Sequence, residues 1–177
     1  MNRNPFHHPP LVHDGKTYGF DHLAPFRLVL KGQGRDGADL TVRIRFSCHV
    51  YTKARAEGGP SIKIRDKNGQ ARAFSPGRYE RSLALPRLCE DMIRLKYPSW
   101  ISSDRRRRRN LAVAGVKPRN NADAYHVFYE LWPSRKKGID VEMEIKSAYM
   151  RRIRTRGRRK TVLIFIKRCY YDNRRQP

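Results

Sequence analysis

The sequence predicts an α+β fold, in which an antiparallel sheet of about six strands carries one main helix packed on it. Residues 40–51 and 140–152 alternate strictly between apolar and polar side chains, which is typical of strands with one buried face. Between these strands, residues 85–95 carry an apolar stripe of helical period, and this stripe predicts a helix that packs across the sheet.

Length and composition favour a single domain over residues 1–177. Forty Lys and Arg against 16 Asp and Glu leave a net charge of +24, yet 38% of the residues are hydrophobic and 10% are aromatic. These proportions belong to a chain that folds rather than to a disordered basic tail. Because so large a charge repels itself, we expect a polyanionic partner, and nucleic acid is the leading class.

The cysteines and the apolar segments exclude several other classes. Cys48, Cys89 and Cys169 are far apart and form no Cys-x-x-Cys motif, so neither a disulfide framework nor a zinc site is indicated. The sequence contains no apolar stretch long enough to span a bilayer and does not begin with a signal peptide pattern. We therefore expect a cytoplasmic protein that does not associate with membranes.

The first part of the chain is expected to be irregular over residues 1–25 and rich in strands over residues 26–74. Residues 26–31 read as a short strand, and the glycine-rich residues 31–39 read as the turn of a hairpin. In the strand at 40–51, alternation predicts a buried face formed by Leu40, Val42, Ile44, Phe46, Cys48 and Val50. The opposite face would carry Thr41, Arg43, Arg45, Ser47, His49 and Tyr51.

The second part, residues 75–168, is expected to contain the helix and a three-stranded meander. Residues 124–132 are apolar on both faces and predict a central strand, and residues 161–167 predict a second strand of this kind. In the strand between them, alternation would place Ser147 and Tyr149 on the inward face with Val141, Met143 and Ile145. Two hydroxyls beside an arginine run suggest the wall of a phosphate-binding cleft, or simply the end of the strand at the surface.

The residue types favour RNA cleavage without a metal ion. Carboxylates are too sparse to form a magnesium or manganese cluster, and His7, His8, His13 and His22 match no metal-ligand spacing, so we expect no metal and no cofactor. RNA can be cut by its own 2′-hydroxyl if side chains transfer the protons and cations stabilise the phosphorane. The candidate catalytic residues are His49, Tyr149, Ser147, Lys146 and His126.

Arginine dominates the two densest basic runs, and its forked guanidinium suits contacts with phosphate. The candidate nucleic-acid-binding residues are Arg43, Arg45, Arg78, Arg105, Arg106, Arg107, Arg108, Arg109, Arg151, Arg152, Arg154, Arg156, Arg158 and Arg159. Structural alternatives stay open for several candidates. The runs could be solvated loops, His49 could lie on the wet side of a half-exposed sheet, and His126 could be a hydrogen-bonded core histidine.

One local motif adds a family resemblance. A helix followed by an antiparallel meander whose strand ends IKSAYMRR resembles the barnase, EndoU, RNase-colicin and RelE superfamily of small metal-independent RNases. In many toxin members of that superfamily, a Ser-Ala-Tyr or Thr-Ala-Tyr motif lies beside the active site, and it matches Ser147, Ala148 and Tyr149 here. The resemblance implies that Ser147 contacts phosphate, with Lys146 or Arg152 as nearby cations.

Two functions therefore remain as expectations. The first is a metal-independent endoribonuclease of toxin or defence type, whose charge an acidic antitoxin or inhibitor protein would mask. The second is a non-catalytic module that binds RNA or DNA through arginine and aromatic side chains. RNA is the expected partner in both cases, and DNA is the alternative polymer.

Overall fold

The computed structural model describes residues 7–54, 64–103, 109–114, 124–151 and 159–176. For residues 102, 103, 109–114 and 151 it describes the backbone alone. The described elements confirm the α+β class.

Twelve strands occur in this part of the chain: β1 (Leu11–His13), β2 (Lys16–Tyr18), β3 (Phe26–Leu30), β4 (Leu40–Phe46), β5 (Thr52–Ala54), β6 (Ile64–Arg65), β7 (Ala71–Phe74), β8 (Pro98–Ser103), β9 (Arg109–Ala114), β10 (Ala124–Pro133), β11 (Val141–Arg151) and β12 (Lys160–Thr161). The α-helices are α1 (Pro76–Ser82), α2 (Leu85–Arg94) and α3 (Val162–Tyr171). Short 3₁₀ helices lie at Asp21–Leu23, Arg35–Gly37 and Cys48–Val50. None of the helices described has the length and apolarity needed to cross a membrane.

The main sheet has seven strands in the order β12-β8-β9-β10-β11-β4-β3. Strands β8 to β11 follow one another as an antiparallel meander, and β3 and β4 form a hairpin. The two parts meet where β11 pairs in parallel with β4, from Val141 opposite Val42 to Ile145 opposite Phe46. The expectation of a purely antiparallel sheet of about six strands with one main helix was therefore wrong in its detail, because one strand pair is parallel and three helices are present.

Two smaller sheets flank the main one. Strands β1 and β2 pair with each other, and the other small sheet has the order β5-β7-β6. Strand β6 is an edge strand of this sheet, and the chain then turns through Asp66 to Gly69 into β7. Strands β1 and β2 lie within residues 1–25, which were predicted to be irregular. Each strand has only three residues, too few for a pattern to be recognised in the sequence.

The core lies on one face of the main sheet, as the alternation in β4 predicts. All six apolar side chains expected to be buried from Leu40 to Val50 are buried. The chain leaves the strand at Phe46, however, and His49 lies in the 3₁₀ helix that follows rather than on a strand. Tyr51, which was expected on the polar face, is only 4% exposed and belongs to the core.

Helix α2 confirms the predicted helical stripe. Leu85 and Met92 are fully buried, and Pro86 occupies the first turn, where its missing N–H costs no hydrogen bond. The last residue of the stripe, Leu95, is 65% exposed because the helix ends at Arg94 and Lys96 adopts a left-handed backbone conformation.

The prediction of a strand at residues 161–167 was wrong, because this segment forms the start of α3. The Thr161 side chain accepts a hydrogen bond from the backbone N–H of Ile164 at 3.3 Å and caps the helix. Val162, Phe165, Ile166 and Cys169 are buried at helical spacing. By contrast, β10 is a central strand as predicted, since β9 and β11 flank it.

Candidate functional site

A β-bulge in β11 decides which side chains face away from the core. Phe128 of β10 lies opposite Ser147, but its neighbour Tyr129 lies opposite Ile145, so Lys146 is an extra residue on β11. Alternation restarts there with the opposite phase, and Ala148 rather than Ser147 enters the core. The prediction that Ser147 and Tyr149 share a face with Val141, Met143 and Ile145 was therefore wrong.

The bulge brings Ser147 and Tyr149 to the polar face of the sheet, where Lys146, Glu142 and Glu144 also lie. This face is partly open, since the side chains of Lys146, Ser147 and Tyr149 are half-buried. The C-terminal half of β11 extends beyond the end of β4, and the 3₁₀ helix Cys48–Val50 packs against it. The end of β4 and the end of β11 therefore bring two distant parts of the sequence together.

His49 is held at this place by a carboxylate. Its Nε2 atom lies 3.1 Å from Asp66 Oδ2, in the turn between β6 and β7. Asp66 is only 8% exposed, and its other oxygen accepts hydrogen bonds from the backbone N–H groups of Asn68 and Gln70. The imidazole is thus fixed by a carboxylate that is itself held by its own loop.

Burial and charge determine the protonation state of this pair. Burial lowers the pKa of His49, and the positive charges of Arg72 and Lys146 lower it further, while Asp66 opposes them. The pKa of Asp66 is also lowered, because hydrogen bonds from Gln70, Asn68 and His49 outweigh the effect of its own burial. An ionised carboxylate only accepts hydrogen bonds, so Nε2 of His49 carries the proton and Nδ1 presents a lone pair.

Arg78 connects His49 to the end of β11. Its Nη1 atom donates to the carbonyl oxygens of His49 and Thr52, at 3.2 and 2.5 Å. The guanidinium carbon lies 4.8 Å from the centre of the Tyr149 ring, which is cation–π range. Phe128 also stacks on Tyr149, with 5.1 Å between the ring centres and 23° between the ring planes.

Two carboxylates on the polar face, the buried Glu144 and the partly buried Glu130, hold lysines in place. Glu144 is 3% exposed and pairs with Lys67 and Lys146, each at 3.2 Å. Lys146 also lies 3.6 Å from Glu130, which pairs with Arg175 at 2.7 Å. Burial alone would lower the pKa of Lys146, but the carboxylates of Glu144 and Glu130 raise it, so Lys146 is a cation at neutral pH.

Arg43 and Arg45, predicted to bind nucleic acid, are already engaged with the protein. Arg43 makes two hydrogen bonds to Glu142, one of them 2.8 Å from Nε to Oε2. Arg45 lies 3.5 Å from the same carboxylate and 5.0 Å from the centre of the Trp132 ring. Because Glu142 takes up part of their charge, any role for these two arginines in binding remains a prediction.

The remaining candidates separate into three groups. His126 is buried, with 4% exposure, on β10 opposite Tyr149, and its ring lies 6.5 Å from that of Phe128. Arg159 is exposed and lines a cavity of about 310 Å³ with Lys96 and Lys160. The candidates that lie outside the described residues are Arg105, Arg106, Arg107, Arg108, Arg152, Arg154, Arg156 and Arg158, and for Arg109 and Arg151 only the backbone is described.

Sequence reasoning missed three participants: Asp66, Lys67 and Arg72. The sequence shows Asp66 and Lys67 only as part of a polar turn, and nothing local connects that turn to His49, which is 17 residues away. Arg72, on β7, donates to the Thr52 hydroxyl at 3.3 Å. Within the described residues, no three His, Cys, Asp or Glu side chains are close enough together to hold a metal ion.

Comparison with known proteins adds one finding. The model of the YjaZ family matches residues 10–170, which include His49, Asp66, Arg78, Lys146 and Tyr149 but not Arg175. Neither a curated protein nor a solved structure matches the chain.

Proposed function

The chain belongs to the YjaZ family, and we propose that it is a metal-independent endoribonuclease of toxin or defence type whose active site lies where β4 and β11 end. One observation carries this proposal. An imidazole, a guanidinium, an ammonium and a phenol, those of His49, Arg78, Lys146 and Tyr149, converge there from separate parts of the chain. Together they are sufficient to cleave RNA through its 2′-hydroxyl.

His49 acts as the general base in this proposal. Its Nδ1 lone pair takes the proton of the 2′-hydroxyl as the 2′-oxygen attacks phosphorus. The Asp66 carboxylate orients the ring and stabilises the imidazolium that forms, as an aspartate does in other histidine-dependent sites. Because burial and two nearby cations lower the pKa of His49, the ring is neutral and able to accept a proton at neutral pH.

Tyr149 acts as the general acid. Its hydroxyl gives a proton to the 5′-oxygen as the bond between that oxygen and phosphorus breaks, leaving a 2′,3′-cyclic phosphate and a 5′-hydroxyl. The Arg78 guanidinium over the ring stabilises the developing phenolate. In this proposal Arg78 and Lys146 also provide positive charge for the phosphorane, and the Ser147 hydroxyl contacts a phosphate oxygen.

The test is incubation of the purified protein with labelled RNA and with DNA of matched sequence, in excess EDTA, followed by analysis of the product ends. We expect RNA fragments that end in 2′,3′-cyclic phosphate, and intact DNA. His49→Ala and Tyr149→Phe should each reduce cleavage by roughly 10²- to 10⁴-fold, which is the usual contribution of a general acid or base. Their affinity for an uncleavable 2′-O-methyl oligonucleotide should be nearly unchanged.

Intact RNA that is bound with a steep dependence on salt would overturn the nuclease proposal and favour the non-catalytic binding module instead. Cleavage that EDTA abolishes would overturn the metal-independent mechanism. The net charge of +24 also supports a partner of opposite charge, and we propose an acidic inhibitor or antitoxin protein for that role. Copurification of the protein with such a partner, and loss of cleavage in the complex, would test this part.

A further inference from the structure

We propose that the polar face of the main sheet is a stacking surface for the bases of single-stranded RNA. This inference rests on the proposed nuclease function and adds the class of substrate to it. Its basis is a set of aromatic side chains that the strand register brings to one face, among cations that suit a polyanion. We call this set the aromatic face, and it consists of Trp100, Phe128, Trp132 and Tyr149.

The register across the strands places these four side chains together. Residues directly opposite one another on neighbouring strands point to the same side of a sheet. Trp100 of β8 and Phe128 of β10 both lie opposite position 112 of β9. Phe128 in turn lies opposite Ser147, and Tyr149 follows two residues later on the same face. Trp132 lies four residues beyond Phe128 on β10, and because side chains alternate along a strand, both point to the same face.

Two of these rings, those of Trp100 and Phe128, are placed to receive a base. All four are partly exposed, whereas the core face of the same strands is buried. The strands that carry Trp100 and Phe128 are separated by two strand spacings, roughly 10 Å, which can admit the planar ring of a base between the two side chains. Phe128 stacks on Tyr149, so a base on Phe128 would extend that stack toward the catalytic phenol.

The charges on this face suit RNA rather than an apolar ligand. Five cationic side chains pair with the three carboxylates of the face, which leaves it positive: Arg43, Arg45, Lys67, Lys146 and Arg175 pair with Glu130, Glu142 and Glu144. Arg78 adds a further positive charge beside Tyr149. Alternating rings and cations bind single strands, whose bases are free to stack, whereas a duplex hides its bases.

The test uses tryptophan fluorescence, because the chain has only two tryptophans and both belong to the aromatic face. In Trp100→Phe only Trp132 reports, and in Trp132→Phe only Trp100 reports. The probe is a single-stranded 2′-O-methyl oligonucleotide, which cannot be cleaved because it lacks the 2′-hydroxyl. The comparison probes are its duplex and inorganic polyphosphate, which is a polyanion without bases. We expect the single strand to quench both reporters and polyphosphate to quench neither.

Affinity gives the second readout. Phe128→Leu should weaken binding of the single strand roughly 5- to 150-fold, which corresponds to about 1–3 kcal/mol for one stacked base. Phe128→Tyr, which keeps the ring, should bind like the original protein, and neither change should alter the affinity for polyphosphate. A single strand that binds without quenching, or equal affinity in Phe128→Leu, would overturn the inference.

These outcomes are independent of those of the nuclease test. Cleavage without quenching would leave the nuclease proposal intact and refute the stacking surface. Quenching without cleavage would have the opposite meaning.

Discussion

Arg78 provides the sharpest test of the proposed site, because this one side chain contacts both His49, the proposed base, and Tyr149, the proposed acid. Its guanidinium donates to the carbonyl of His49 and stacks on Tyr149. Arg78→Ala should therefore reduce kcat/KM for RNA cleavage by roughly 10²- to 10³-fold, or about 2.7–4 kcal/mol, the typical loss when a donor to a transition state is removed. Arg78→Lys keeps the positive charge but loses the forked donors and the flat guanidinium that stacks on Tyr149. It should therefore retain more activity than Arg78→Ala but less than the original protein.

The change also has a structural cost that must be separated from the catalytic one. Arg78→Ala removes two hydrogen bonds to backbone carbonyls. Because the Arg78 side chain is only half-buried, we expect the free energy of unfolding to fall by about 2 kcal/mol. In a chain of this size such a loss lowers Tm by roughly 4–8 °C. Cleavage should therefore be measured well below the Tm of the variant, with circular dichroism to confirm that it is folded.

Arg81→Ala is the matched control. Arg81 lies on the same helix, carries the same charge, is exposed and donates to Gly77 O at 2.7 Å. If the two variants lose activity equally, the effect is one of general charge. If folded Arg78→Ala cleaves within about fivefold of the original protein, the proposed role of Arg78 in the site is refuted.

Three further predictions concern other parts of the structure. Asp66→Asn removes a carboxylate that raises the pKa of His49, so the acid limb of the pH profile of kcat/KM should move to lower pH; an unmoved limb would argue against His49 as the base. Arg43→Ala leaves the buried Glu142 carboxylate with two weaker partners, Arg45 at 3.5 Å and the Ser134 hydroxyl at 3.4 Å, and should cost about 2–4 kcal/mol in urea unfolding. Lys31→Ala breaks an exposed pair that water screens and should change stability far less; equal costs would contradict this view of the polar face. Thr161→Ala removes the cap of α3 and should lower stability by about 1 kcal/mol, which thermal unfolding against a Thr161→Ser control can detect.

The sequence was sufficient to predict elements whose pattern is long and regular. The alternation in β4 identified every buried residue from Leu40 to Val50, and the stripe in α2 located that helix. In β11 the same reasoning failed after Ile145, because an inserted residue reverses the phase of alternation and leaves no local mark in the sequence. The error concerned the face of the sheet, while the residues proposed for the site were still on the correct strand.

Helix α3 shows a different limit. A short run such as TVLIFIK is rich in β-branched and aromatic residues, and its period over seven positions fits a strand or a buried helix equally well. Two signals favoured the helix: Thr161 as a possible cap, and the buried spacing that continues from Val162 to Cys169. The helical spacing becomes visible only when the stretch of sequence considered extends beyond Lys167 to Cys169.

Half of the candidate site could be predicted from residue chemistry, and the other half depended on tertiary structure. His49, Lys146, Tyr149 and Arg78 were candidates because their side chains suit the reaction. The carboxylate of Asp66 could not be assigned to His49 in the same way, because the fold of a separate small sheet brings the two together.

The parallel pairing of β4 with β11 has a consequence for how the protein is made. Arg43 and its partner Glu142 are 99 residues apart, so this pairing must close a very long loop, and such pairings form late and slowly. During synthesis His49 leaves the ribosome long before Tyr149 does. A partly made chain therefore lacks the assembled site, and an enzyme that attacks RNA would remain harmless to its own translation until most of its sequence has been read.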